Sequence, residues 1–483
     1  MFGELALRGL CFVYGLFSLA FVTAIAAVRD GAFSSKARMS EEEEREFALA
    51  QKKYWDLSAE PLPGFRHAFY TLRNGLRLHY VINESEKSVE TKKKGVAIFI
   101  HGFPDSYLLW RELLVAPSLQ GYTMIAVDLP SYGGSDNFSL YDANNVLEAM
   151  TGFILGMRDL YLTEASSRLV IISHDWGSLI GARLASEAKE LAHRWILTSG
   201  VIPHHASTSA LTLLASTKQM LLTYRHHPTN LHLLKTSLTQ LLPLLAQANL
   251  SFYIFILNLP LPLATFFARM GNFWFLRLTH HLQTRCLFPS KVPTPIPAPL
   301  AADHLAASSG PGTSQLPTST LSQNAEEEKY PPSVRNRVRD HGMAQKIRLY
   351  REGLFLGPWE KSLETIAALS AISVDSTMAA AGAGGGALFD EGPEGALKVP
   401  ATLIHGEKDP AFERRLVLSG LGDYLPRRSQ AIMLEGSGHW LPTEEFAGKV
   451  IVEVAEWALG GEEGSLRERL QGMERVTFAV DKQ

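Results

Sequence analysis

At Arg168-Leu-Val-Ile-Ile-Ser-His-Asp-Trp-Gly-Ser178 an apolar, β-branched run stops abruptly at Ser173-His174-Asp175-Trp176-Gly177. β-Branched residues favour a pleated strand, and a short apolar run without alternation reads as a strand buried on both faces. A helical pattern follows from about Ser178 to Lys189. Between strand and helix lies a tight turn, with small residues two before and two after Asp175. A turn of that kind lifts one side chain clear of the sheet. The lifted side chain here is a carboxylate, where the familiar G-x-S-x-G version carries a hydroxyl.

The same signature recurs along the chain. A strand pair is expected at His67–Leu72 and Leu76–Ile82, joined at Asn74-Gly75. Gly95–Ile100 reads as a buried strand ending in His101-Gly-Phe-Pro104, and Thr123–Val127 as another, ending at Asp128. Leu169–Ile172 leads into the Asp175 turn, and Trp195–Thr198, Val399–Ile404 and Ala431–Leu434 complete the series. Short apolar strands alternating with helices imply an α/β fold with a mostly parallel sheet covered on both faces.

From Gly9 to Val28 no residue is charged. About twenty apolar residues suffice to cross a bilayer. Ala24-Ile25-Ala26 resembles a cleavage site, so a signal peptide is the rival reading. The run is long for a signal core, and an uncleaved anchor at residues 1–30, outside the globular fold, is the expectation. Arg8 precedes the run, whereas Arg29, Lys36 and Arg38 follow it. That bias places the body in the cytosol, on a single-pass anchor in an internal membrane such as the endoplasmic reticulum.

The remaining divisions follow composition. Residues 31–64 read as a juxtamembrane helix or linker, and 65–205 as the first part of the α/β core. Residues 206–370 read as a Leu-rich helical cap with a Pro/Ser/Thr/Ala-rich insertion at about 289–332 that need not pack. Residues 371–398 are an Ala/Gly-rich linker, 399–460 the second part of the core, and 461–483 a charged, helical tail. The chain is 46% hydrophobic and 20% charged with net charge −3, so no basic excess points to nucleic acid. Its two cysteines, Cys11 and Cys286, are too few for a disulfide framework or thiolate metal site. The pairs His226-His227 and His280-His281 lack the i,i+4 spacing that shares a helix face. No Gly-rich loop fits a phosphate, so neither metal nor cofactor is expected.

Asp175, Asp409 and His439 each follow a strand, in the chain order nucleophile, acid, histidine. Ligand sites in open parallel sheets lie at the carboxyl ends of the strands. An Asp nucleophile suits an sp³ carbon, because attack there leaves an ordinary ester on the enzyme. Attack on an acyl group would leave an anhydride. The expected substrate is therefore an epoxide or an alkyl halide. Asp105, Asp128, Ser135 and Asp136 read as structural, capping or surface residues.

His101-Gly-Phe-Pro104, Ser173-His-Asp-Trp-Gly177, Gly406-Glu-Lys-Asp409 and Gly438-His439-Trp440 resemble the motifs of α/β-hydrolase-fold epoxide hydrolases. The likeness is to the membrane-anchored type with one N-terminal helix, and covers roughly residues 65–460 apart from the two insertions. It implies an α/β-hydrolase fold with an inserted helical cap. It implies that Asp175 opens lipophilic epoxides to vicinal diols, and that Asp409 orients His439 to activate water. It implies an oxyanion hole from the backbone N–H groups of Phe103 and Trp176. Two cap tyrosines would protonate the epoxide oxygen, and Tyr350 and Tyr253 match them, although Asn258 stands where the family has Gln. Ser173 and Ser178 also replace glycines of the family pattern. The partners so implied are a small lipophilic epoxide, water and the lipid bilayer, in detoxification or lipid metabolism. A haloalkane dehalogenase is the alternative within the fold, but it would place a polar side chain at Phe103 and needs no tyrosine pair. A non-catalytic, membrane-tethered scaffold is the alternative of another class.

Overall fold

A computed structural model describes residues 2–34, 38–83, 95–162, 167–288, 296–316, 329–372 and 392–482. Among the described residues one sheet has nine strands: β1 (Arg66–Thr71), β2 (Arg77–Ile82), β3 (Gly95–Ile100), β4 (Thr123–Val127), β5 (Arg168–His174), β6 (Arg194–Thr198), β7 (Ala401–Gly406), β8 (Ser429–Leu434) and β9 (Val476–Lys482). Their spatial order is β1-β2-β4-β3-β5-β6-β7-β8-β9. Strands β3 to β8 are parallel, while β1, β2 and β9 attach antiparallel at the two edges.

The uninterrupted apolar runs have a simple cause. Successive side chains of a strand point to opposite faces, and both faces of this sheet are covered. Ile98, Ile100 and Ile171 belong to the core on one side; Ala97, Phe99 and Ile172 belong to the core on the other. The N-terminal helix is α1 (Phe2–Ala24), and the helices that follow include α2 (Glu41–Trp55), α3 (Arg111–Leu114), α4 (Ala143–Tyr161) and α5 (Trp176–Glu187). After β6 comes a run of helices: α6 (Pro203–His226), α7 (Leu231–Leu250), α8 (Phe252–Leu257), α9 (Leu261–Leu287) and α10 (Ala298–Ser309). The long α9 is broken at Met270–Phe273, where Gly271, Asn272 and Phe273 take positive φ. A last long helix, Glu445–Leu459, packs back on the sheet.

Three expectations change here, and between the two readings of 31–64 the helix is the one found. The N-terminal segment is not outside the fold, because α1 docks on the cap: Tyr14 Oη donates to Ala248 O at 3.2 Å, and Tyr14 meets Phe255 edge-to-face. The 31–64 segment is no bare linker, since α2 is capped by Ser40 and Glu43 and anchored by Trp55. The insertion does pack in part: Trp55 Nε1 donates to Ala306 O at 3.0 Å, and Gln51 Nε2 to Gly310 O at 3.0 Å. Finally, the tail beyond 460 is not simply helical, for it closes the sheet as β9. Ala379–Gly386 and Lys36 lie outside the described residues.

That tail also carries a buried charge cluster. Glu462 accepts from Arg194 at 2.9 Å and Arg428 at 2.7 Å, and pairs with Arg168. Burial would raise the Glu462 carboxyl, but the arginines outweigh it and hold it below its ordinary value. Removing one partner of a buried pair leaves the other charge stranded, at about 3–5 kcal/mol. Glu462→Ala is therefore expected to lose about that much stability in a urea titration. A loss under about 1 kcal/mol, the range of exposed pairs, would contradict this role.

Candidate active site

The Asp175 turn has the geometry the motif demands. Asp175 sits at φ 52°, ψ −119° between β5 and α5. Positive φ is strained for a residue with a side chain and is tolerated where surrounding structure enforces it. The neighbours show how. A Cβ on Gly177 would lie 2.4 Å from Ile100 O, and one on Gly102 would lie 2.3 Å from Asp175 Oδ1. Only glycine lets the β3 and β5 ends approach this closely. The two serines that depart from the family pattern fit without disturbing the turn. Ser178 Oγ donates to Thr198 O at 3.0 Å, and Ser173 Oγ lies 3.3 Å from Ser178 Oγ.

Around this turn the strand ends converge. Phe103 N–H donates to Asp175 Oδ1 at 2.7 Å. Asp175 Oδ2 lies 3.6 Å from His439 Nε2. His439 Nδ1 faces Asp409, 2.8 Å from Oδ2 and 3.0 Å from Oδ1. Residues 234 and more positions apart in sequence are thus joined at one point. Burial disfavours a charged His439, yet Asp409 and Asp175 outweigh it and push the ring up to about 10. The neighbouring His174, with its ring centroid 5.0 Å from that of His439, is driven well below its ordinary value by burial and so stays neutral.

Both tyrosines face the same cavity, of about 610 Å³, which is also lined by Phe103, Asp175, His439 and Trp440. Tyr350 meets Trp176 edge-to-face at 4.8 Å and Phe103 at 5.5 Å. Tyr253, on α8, meets Tyr350 at 5.8 Å. Desolvation pushes both phenols above their ordinary value, reinforced by the charge of Asp175. Both are therefore neutral hydroxyls at pH 7. Asn258 ties the two segments together, its Nδ2 donating to Tyr350 O at 3.2 Å, as does Arg351 Nη1 to Leu257 O at 2.8 Å.

Some of this arrangement escaped sequence reasoning. Asp105 is not on the surface but fully buried, accepting from Trp440 Nε1 at 3.1 Å, and burial pushes it up to about 6. Asp136 is buried too, accepting from Arg77 N–H at 2.9 Å and from Ser333 Oγ at 2.6 Å. Asp128 accepts from the N–H groups of Tyr107 and Gly134 and faces His79. Lys346 was not singled out at all. It is buried, donates to Pro104 O at 3.4 Å and to Ser308 O, and is lowered to about 7 by burial. It braces the His101–Pro104 turn from the segment that carries Tyr350. Its only sequence signal is a lysine four residues before that tyrosine. Five or more side chains of α1 also line the cavity, which nothing in the apolar run announced.

Several known proteins are similar to this chain. Epoxide hydrolase 3 of Xenopus tropicalis is 28% identical over 140 residues, 29% of this chain and 35% of that protein. Epoxide hydrolase B of Mycobacterium tuberculosis is 30% identical over 104 residues, 22% of this chain and 27% of that protein. The chain thus spans about a third or less of the length of these curated relatives. An epoxide hydrolase structure from Vigna radiata superposes with a TM-score of 0.43 at 16% identity, covering 81% of this chain and 97% of that one. Residues 96–446 match the family described as alpha/beta hydrolase fold, a span that runs from β3 through the cap to the helix after His439. With the sheet order, the strained turn at Asp175 and this match all in agreement, the chain belongs to the alpha/beta hydrolase fold family.

Proposed function

We propose that this protein hydrolyses lipophilic epoxides to vicinal diols through an ester on Asp175, at a membrane to which its N-terminal segment holds it. The observation that carries the reading is a single cavity in which a carboxylate on a strained turn faces a histidine on one side and two neutral phenols on another. A carboxylate nucleophile selects an sp³ carbon, and phenols are suited to a leaving oxygen that needs a proton.

The steps follow from the contacts. Oδ1 of Asp175 already accepts from Phe103 N–H, which leaves Oδ2 to attack. Oδ2 forms a bond to an epoxide carbon, and that carbon's bond to the ring oxygen breaks. The electron pair moves to the oxygen, which takes a proton from Tyr350 or Tyr253. Forming the ester cancels the charge of Asp175. His439 then loses one of the two carboxylates that raise it, so its proton can return to the tyrosinate and leave a neutral imidazole. That imidazole, oriented by Asp409, takes a proton from water as hydroxide adds to Asp175 Cγ. The resulting oxyanion lies at the Phe103 N–H, with Trp176 N–H as the second donor. Collapse expels the diol oxygen, which takes the proton back from His439, and the Asp175 carboxylic acid left behind passes its proton to the now neutral His439, so that both carboxylate and imidazolium are restored.

The alternative within the fold, halide displacement, uses the same Asp175 and His439 but leaves the tyrosine pair without work. The relatives' names point the same way, as each is called an epoxide hydrolase. His439→Gln tests the reading directly. Incubated with an epoxide, it is expected to accumulate a covalent adduct on the peptide carrying Asp175, seen by mass spectrometry. Full turnover without an adduct would overturn the mechanism, and neither turnover nor adduct would favour a non-catalytic scaffold.

A further inference from the structure

The apolar N-terminal segment does more than sit beside the body. Leu7–Arg29 is long and apolar enough to cross a membrane. Yet from Tyr14 onward this segment forms one side of the catalytic cavity, through Tyr14, Phe17, Ser18, Phe21, Val22 and Ile25. The docking is close and specific. A Cβ on Gly15 would lie 2.7 Å from Phe255 O, so glycine at this position lets α1 lie against α8. Tyr14 Oη reaches Ala248 O at the end of α7, and Thr23 Oγ1 lies 3.4 Å from Met270 Sδ on α9.

The same helix keeps an apolar face that is exposed among the described residues. Leu10 is 66% exposed and Val13 62%. Phe17 and Phe21 are both exposed and cavity-lining, with their rings stacked at 6.2 Å. They are the rim where the cavity wall turns into the lipid-facing surface. Nearby, Leu238, Leu242 and Leu245 form an exposed stripe along α7, whose last turn, Asn249–Leu250, also lines the cavity. Residues 7–13 extend about 10 Å at 1.5 Å per residue, well short of a hydrocarbon core of about 30 Å. While α1 remains docked, any membrane that holds this helix also holds the mouth of the cavity.

We propose that α1 is a specificity-determining wall of the active site, and that the rim at Phe17 and Phe21 admits the apolar chain of an epoxide dissolved in the bilayer. This rests on the epoxide-hydrolysing reading above. It names the substrate class further: a long-chain epoxide, its ring at Asp175 and its chain along α1.

Full-length His439→Gln in lipid nanodiscs separates the two claims. It is loaded with a long-chain terminal epoxide carrying a diazirine at the far end, then irradiated. The expected product is joined to Asp175 at one end and to a residue between Tyr14 and Ile25 at the other. An Asp175 adduct whose far end links only to residues outside α1 overturns the wall while leaving the reaction intact. Absence of any Asp175 adduct overturns the reaction and the wall with it. A second measurement uses active enzyme. Phe17→Ala/Phe21→Ala is expected to lower the ratio of kcat/KM for a long-chain epoxide over a short one by about tenfold, the scale of one or two lost apolar contacts. Leu10→Ala, on the uncovered face, should keep the wild-type ratio. An unchanged ratio in the double variant would overturn the proposal.

Discussion

Asp175→Asn is expected to cut diol formation by roughly 10,000-fold or more, the scale seen when a covalent nucleophile is removed. The amide is neutral and a poor nucleophile, so no ester forms. Its oxygen can still accept from Phe103 N–H, which holds Asp175 Oδ1 at 2.7 Å in the native protein. The φ of 52° is one that Asn tolerates as well as Asp does. The loss should therefore come without unfolding, and a thermal midpoint close to that of the wild type would confirm it. A variant that keeps activity within tenfold would remove Asp175 from the chemistry.

The second large effect concerns the phenols. Tyr350→Phe and Tyr253→Phe delete only a hydroxyl, and the edge-to-face contacts with Trp176 and Phe103 remain available. General acid catalysis contributes about 10²–10⁴-fold. Each single variant is expected to lose about tenfold in the rate of epoxide opening, and the double variant about 10,000-fold, more than the product of the two, because either phenol can partly stand in for the other. Stopped-flow measurement of the opening step gives these rates. The same variants acting on an alkyl halide should show no comparable loss, since halide leaves without a proton. If halide release exceeds diol formation and the tyrosine changes leave both untouched, the protein is a dehalogenase instead.

The strand series and the Asp175 turn were legible because their signals are local. A β-branched run buried on both faces has no alternation, and a tight strand-to-helix turn needs Gly177 and Gly102 where they stand. Asp175, Asp409 and His439 were legible as a candidate group because each follows such a strand. What was not legible depends on contacts between distant segments. Trp55 meets Ala306 across 251 positions, so neither segment alone announces that it folds. Glu462 looks like one charge in a charged tail until β9 brings it over Arg194. The apolar N-terminal run fits a membrane and a cavity wall equally well by composition. The close approach at Gly15, the Tyr14 contacts with Ala248 and Phe255 and the cavity lining reveal that α1 is docked. Asp105 illustrates the same limit, since its burial is set by Trp440 from the other half of the core.

The ester at Asp175 is the step on which the proposed reaction depends. Its most direct test is a single turnover of excess wild-type enzyme over epoxide, in water enriched in heavy oxygen. Hydrolysis of the ester places the water oxygen on Asp175 Cγ and sends an original carboxylate oxygen out with the diol. Label is expected in the peptide containing Asp175, with an unlabelled diol from that first turnover. A labelled diol with an unlabelled Asp175 would mean that water attacks the epoxide directly, and would contradict the ester.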